Sequence, residues 1–285
     1  MTVVENAMGV TSSAVTSPGN ASSEAVRDRT EPAVSDSEHG GVPLPRPPRS
    51  AHTPRPRQRP DAPLEHAVSY AGELGWDVFP GTWLEVPAGV PVCSCGDARC
   101  AAPGAHPAGP GWAGEATHSP GAVRRLWSKE RRAAVLLPTG RAFDVLDVPE
   151  TAGCLALARL ERLVPQPGPV ISSPDGRMYF LALPGTAAKV SDLLRGWGWS
   201  PGGLDLSVRG EGAWVAAPPT RLGARGAVRW ASGPGSAGRA LPDAETLVPA
   251  LAYACGRAAT EQATARTERE PTRGRTAGAR HRSGR

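Results

Sequence analysis

The chain has 285 residues and 29.5 kDa, with 34 Gly, 31 Pro and only 5% aromatic residues, eight of them Trp; so much punctuation excludes one tightly packed domain from end to end. All but two of the 32 basic residues (Lys129 and Lys189) are Arg, the usage of a GC-rich genome, and the net charge is +5. That excess belongs to the ends, since residues 1–60 carry seven Arg against six acids and 257–285 eight against three, while 61–256 are net negative by one; the charge therefore implies no long basic face on the folded part and leaves room for a local cluster.

Residues 1–60 are Ser/Thr/Gly/Ala-rich, then Pro/Arg-rich through Pro45-Arg46-Pro47-Pro48-Arg49, with no apolar period to bury. They are expected to be disordered, partly polyproline-like, acting as linker or docking tail. A globular pattern follows over 61–256. Leu64, Ala67, Val68, Ala71 and Leu74 share one helical face, closed by Gly75, and 76–80 reads as a strand. Thr117 or Ser119 caps a second helix with Pro120 at its first position, burying Val123, Leu126 and Trp127. Strands are expected at 133–137 and 142–148, then a helix over 150–164 with Leu155, Leu157, Leu160 and Leu163 as its apolar positions. Strands at 168–172 and 177–183, a helix at 186–195, and strands at 204–208 and 213–217 around a hairpin-like Arg209-Gly210-Glu211-Gly212 turn come next. A helix at 242–255 closes the domain, and 257–285 is expected to be a disordered Arg-rich tail with a case for phosphate contact. Intermixed helices and hairpins predict an α+β fold with a mixed or antiparallel sheet.

No run of eighteen apolar residues occurs, so no membrane span is expected. The first ten residues lack the basic-then-apolar order of a secretory signal. With five cysteines, an odd number, the expected setting is a reducing cytoplasm with free thiols or metal ligands.

Cys93, Cys95, Cys100 and His106 fall within fourteen residues of a Gly/Pro-rich loop. Three thiols and an imidazole supply the four donors a tetrahedral Zn²⁺ takes, which would make the site structural. The C-x-C-x4-C-x5-H spacing departs from the C-x2-C knuckle, so a metal-free Cys-rich loop stays open. Cys154 and Cys255 sit on apolar helix faces and are expected to be buried. Arg124, Arg125, Lys129, Arg131 and Arg132 lie on or after the second helix, either as its solvated face or as a nucleic-acid backbone contact. Arg221, Arg225 and Arg229 line a loop before Trp230 with the same two readings. Trp197 and Trp199 fit base stacking or a place in the core or its rim.

Several motifs come in a set order: Gly75-Trp76-Asp77-Val78-Phe79-Pro80, the Cys-Ser-Cys-Gly loop running to Pro103-Gly104-Ala105-His106-Pro107, Leu137-Pro138-Thr139-Gly140, Val145-Leu146-Asp147-Val148, and Leu204-Asp205, Arg209-Gly210 and Ala217-Pro218-Pro219-Thr220. Over about 64–232 the series resembles the N-terminal domain of bifunctional DNA primase/polymerases, a branch of the archaeo-eukaryotic primase superfamily. The resemblance implies a primase-polymerase fold and a DNA-replication setting, with template-directed nucleotidyl transfer by two metals, Mg²⁺ or Mn²⁺. The family's paired strand carboxylates, at i and i+2 on one face, fall on Asp147 and on Pro149, which has no oxygen to donate. The family's phosphate-binding His is absent from Ser173-Pro174-Asp175-Gly176-Arg177-Met178-Tyr179-Phe180; Arg177 either holds a phosphate by charge or is a solvated strand residue. A third carboxylate falls on Asp205. Asp147 and Asp205 are thus an incomplete catalytic set, fit for at most one loosely held ion. Without the paired acid, Asp147 reads equally as a cap on the following helix and Asp205 as a turn residue. The resemblance implies binding of nucleic acid and nucleotides, with nucleotidyl transfer in doubt. The alternative is an inactive binding or regulatory module. As no G-x-x-x-x-G-K-S/T helicase motif occurs, protein partners are expected.

Overall fold

A computed structural model of the chain describes residues 63–235 and 241–269; the stretch at 1–60 and the tail beyond 269 lie outside them. The helices are α1 (Pro63–Gly72), α2 (Trp112–Glu115), α3 (Pro120–Lys129), α4 (Glu150–Leu163), α5 (Thr186–Gly196) and α6 (Ala244–Arg269). The strands are β1 (Phe79–Pro80), β2 (Leu84–Glu85), β3 (Val92–Cys93), β4 (Val135–Pro138), β5 (Asp144–Pro149), β6 (Val170–Ser173), β7 (Arg177–Ala182), β8 (Ser207–Arg209), β9 (Trp214–Ala216) and β10 (Arg229–Ser232). Every strand pairing is antiparallel, in sheets of order β10-β6-β7-β5-β8, β1-β4-β9 and β2-β3. The fold is α+β, as the mixture of periods predicts.

β5 organises the interior, because alternate side chains of a strand point to opposite faces. Leu146 and Val148 enter a core with Phe180 of β7, Leu160 of α4, Leu194 of α5 and Leu251 of α6. Val145 enters a second core, with Leu181, Leu137 of β4, Val215 of β9, and Trp127 of α3. Asp147 shares the Val145 face. Asp144 points to the helical side, where its Oδ2 accepts the N–H of Ala187, in the first turn of α5, at 2.9 Å. Tyr70 of α1 fastens the second core, donating to the Pro218 carbonyl at 2.8 Å and accepting from Trp230 Nε1 at 3.1 Å.

Several expectations are corrected. Arg209-Gly210-Glu211-Gly212 joins no hairpin: β8 pairs with β5 and β9 with β4, so the turn crosses from one sheet to the other. Gly140, at φ +97°, lies against the Glu211 backbone, where any Cβ would collide, so only Gly lets these two turns meet. Arg229, expected in the loop before Trp230, belongs with Trp230 to β10, an edge strand on β6. α4 buries Ala152, Gly153, Ala156 and Leu160, whereas Leu155 and Leu163 are exposed; its close approach to β7 selects small residues, and a Cβ on Gly153 would lie 2.6 Å from Met178 Sδ. Cys154, expected buried, is exposed on the same helix, while Cys255 is buried. α6 continues past Cys255 to Arg269, through an Ala-rich stretch of good helix formers with an Arg257–Glu261 pair at 2.7 Å. No helix among the described residues is long and apolar enough to cross a membrane.

Candidate functional site

The antiparallel register fixes what surrounds Asp147. Opposite it stand Tyr179 of β7 and Ser207 of β8; two pairs along, Pro149 opposes Arg177, and two pairs back, Val145 opposes Arg209. Arg177 and Arg209 therefore share a face with Asp147 and flank it diagonally, within reach of a long side chain. Arg177 Nε donates to Asp147 Oδ1 at 2.7 Å, and its Nη2 to the Asp147 carbonyl at 3.3 Å. Arg209 donates to Oδ2 from Nη2 at 2.6 Å and from Nε at 3.2 Å. Arg177 Nη1 reaches Asp205, 2.9 Å from Oδ1 and 3.0 Å from Oδ2. Arg209 also lies over the Tyr179 ring, 4.9 Å from its centroid, and donates to the Trp214 carbonyl.

Burial grades the cluster. The side chain of Asp147 is 6% exposed, Arg177 24%, Arg209 32% and Asp205 65%. Burial opposes the charge on Arg177, but its bonds to Asp147 and Asp205 outweigh that and raise its pKa. Burial also raises Tyr179. Asp147 and Asp205 converge on a guanidinium between them. Two cations balance two acids, and both oxygens of Asp147 are engaged. Asp147 caps no helix: α4 has Pro149 at its N-cap and no side-chain cap. The adjoining cleft, lined by Ser173, Asp175, Tyr179 and Arg209, holds about 130 Å³, below the roughly 300–1,000 Å³ of ordinary small-molecule pockets.

The Cys/His loop forms a second constellation. One donor atom each from Cys93, Cys95, Cys100 and His106 lie within 4.8 Å of one another. A tetrahedron with 2.3 Å metal–sulfur bonds has edges of about 3.8 Å, so a small contraction would seat an ion. His106 Nδ1 lies 2.8 Å from the Pro107 carbonyl, which only accepts; Nδ1 is therefore the donor, and the lone pair of Nε2 turns toward Cys93 Sγ, 3.4 Å away. This orientation of the imidazole by a backbone carbonyl is what metal-binding histidines use. Burial pushes the Cys93 thiol up, but hydrogen bonds, led by those of the Cys95 and Gly104 N–H groups, outweigh it and bring its pKa to about 6. Burial raises Cys100 to about 11. These four residues could hold a metal ion.

The basic residues divide. Arg124 and Arg125 are exposed on α3, and Arg125 borders a shallow hollow with Glu115 and Lys129. Arg131 and Arg132, at the turn into β4, instead line a groove with Trp83 and Arg221. Trp197 is exposed, whereas Trp199 packs against Gly256 and the helical core. Sequence reasoning missed Arg209, read as a turn residue; the signal was its place two residues beyond Ser207 on the strand facing Asp147. It also missed Trp83, whose setting depends on the folding of the Cys/His loop.

The family model described as bifunctional DNA primase/polymerase, N-terminal, matches residues 67–245, from α1 to the start of α6. No curated protein and no solved structure matches the chain. The match takes in all three sheets, the Asp147 cluster and the Cys/His loop, over more than half of the sequence: the chain belongs to the bifunctional DNA primase/polymerase N-terminal family.

Proposed function

We propose that the domain binds nucleic acid or nucleotides without performing nucleotidyl transfer, and serves protein partners as an inactive family module. The observation that carries this reading is the seat of Arg177 and Arg209 on Asp147. Two-metal transfer needs oxygens that grip ions roughly 4 Å apart. Here Pro149 offers none, and the positive charge facing Asp147 is supplied by side chains. A Mg²⁺ or Mn²⁺ at Asp147 would have to expel Arg177 from Oδ1 and would still face the Arg209 guanidinium on Oδ2. Arg177, at the place of the family's phosphate-binding His, acts in this reading as a structural tie to Asp147 and Asp205.

Zn²⁺ is the occupant proposed for Cys93, Cys95, Cys100 and His106, since three thiolates and an imidazole suit a borderline-soft tetrahedral ion. Bound there, it cross-links the loop and takes no part in chemistry. A reducing cytoplasm is the setting proposed for these thiols.

The test is primer synthesis and extension on single-stranded templates with Mg²⁺ or Mn²⁺, comparing wild type with Asp147→Ala. Both should give only background. Template-dependent product from the wild type that disappears in Asp147→Ala overturns the reading.

A further inference from the structure

We propose that the groove between Trp83, the Arg131–Arg132 corner and Arg221 binds a nucleotide unit with an unpaired base, stacking the base on Trp83 and holding its phosphate between Arg131 and Arg221. The proposal rests on the reading that the domain binds nucleic acid or nucleotides and assigns the place. The groove holds about 420 Å³, within the range of small-molecule sites and far larger than the cleft beside Asp147. Leu84, Ala134 and Pro219 make its walls apolar, and three guanidiniums line it.

The flat surface is fixed in place. Trp83 Nε1 donates to Glu85 Oε1 at 3.3 Å. Its backbone N–H donates to Ser94 Oγ at 3.1 Å, and its carbonyl accepts from the Ser94 N–H at 3.0 Å. Arg132 lies over the ring, 5.9 Å from its centroid, and is held by two bonds of 3.0 Å to the Glu130 carboxylate. The carboxylates of Glu85 and Glu130 are therefore engaged. Arg131 and Arg221 have no carboxylate partner among the described residues. An indole carrying a guanidinium plane, in an apolar slot with two uncommitted guanidiniums, suits a base and its phosphate together. An acidic peptide would use the charge and leave the aromatic surface idle. The Cys/His loop shapes the site: Leu84 pairs with Cys93, and Gly104, at φ +74°, lies so close to Leu84 that a Cβ would be 2.6 Å away.

The experiment measures fluorescence anisotropy of a labelled single-stranded oligonucleotide with the full chain at several salt concentrations. Trp83→Ala should weaken binding about five- to a hundredfold, as loss of one stacked base does, while Trp83→Phe retains most of it and shows that the fold is intact. Replacing both Arg131 and Arg221 by Ala should flatten the slope of log affinity against log salt by about 0.7, the value for the one phosphate they hold on a single strand. A fully paired duplex should bind more weakly than the single strand. Adenosine monophosphate as competitor separates the two sources of this chemistry: displacement at comparable concentration identifies a free nucleotide and much weaker displacement a strand, both in support. Equal competition by a phosphoserine peptide overturns the proposal. So does unchanged affinity in Trp83→Ala with binding lost on removing 270–285, a result that leaves nucleic-acid binding itself standing. Absence of any binding overturns both.

Discussion

Asp147→Asn separates a structural carboxylate from a catalytic one. The substitution keeps the volume and removes the counter-charge to Arg177 and Arg209. Arg177 retains Asp205, and Arg209 retains the Trp214 carbonyl and the Tyr179 ring, so neither is abandoned. An amide can still accept from one guanidinium, but its NH2 group then faces the other. Hydrogen bonds to charged groups contribute about 1.5–3 kcal/mol each, and breaking a buried pair costs about 3–5 kcal/mol. Both arginines are a quarter to a third exposed, and water screens part of that cost. The expected loss is about 2–4 kcal/mol, or roughly 5–15 °C in the unfolding temperature of a domain of this size. Asp205→Asn, at the exposed arm of Arg177, should cost under about 1 kcal/mol. Urea unfolding of Asp147→Asn, Arg177→Met and the double variant gives the coupling between the two side chains, expected at about 1–3 kcal/mol. An Asp147→Asn protein as stable as the wild type, or more so, refutes the argument; that is the behaviour of an acid held in readiness for a metal, whose neutralisation relieves strain.

Purified protein should carry about one zinc per chain, lost in Cys95→Ser; a metal-free wild type contradicts the assignment. Burial pushes Tyr70 up to about 12, against a lesser lowering by its bond from Trp230. A folded-state value above the unfolded one stabilises the fold fully below pH 10 and is lost as pH rises toward 12. Unfolding free energy should therefore fall over that interval, less steeply in Tyr70→Phe; the same slope in both proteins would count against the buried phenol. Gly153→Ala should cost about 1–3 kcal/mol by overpacking against the buried Met178, read by thermal unfolding, and an unchanged midpoint would mean that α4 has room to move away from β7.

What the sequence disclosed depended on how local each signal was. The apolar face of α1, the Pro120 start of α3 and the strand expected at 142–148 are read from neighbours along the chain, and they appear where expected. The β8–β9 connection was misread because a Gly-containing turn looks alike whether its strands pair with each other or with different partners. α4 was misread because the buried side of a closely packed helix selects Ala and Gly, while the hydrophobic period pointed to Leu155 and Leu163. The Cys/His cluster was legible because its four donors lie in one loop. Pro149 and the missing His marked the catalytic face as incomplete. That Arg177 and Arg209 would both turn onto Asp147 follows only from the register of three strands, which no local pattern gives.

The most direct measurement is anomalous scattering at the manganese edge from crystals grown or soaked with Mn²⁺. The account predicts no manganese at Asp147, with the guanidiniums of Arg177 and Arg209 in density against its two oxygens. Manganese held by Asp147 and Asp205, with Arg177 swung clear, contradicts it.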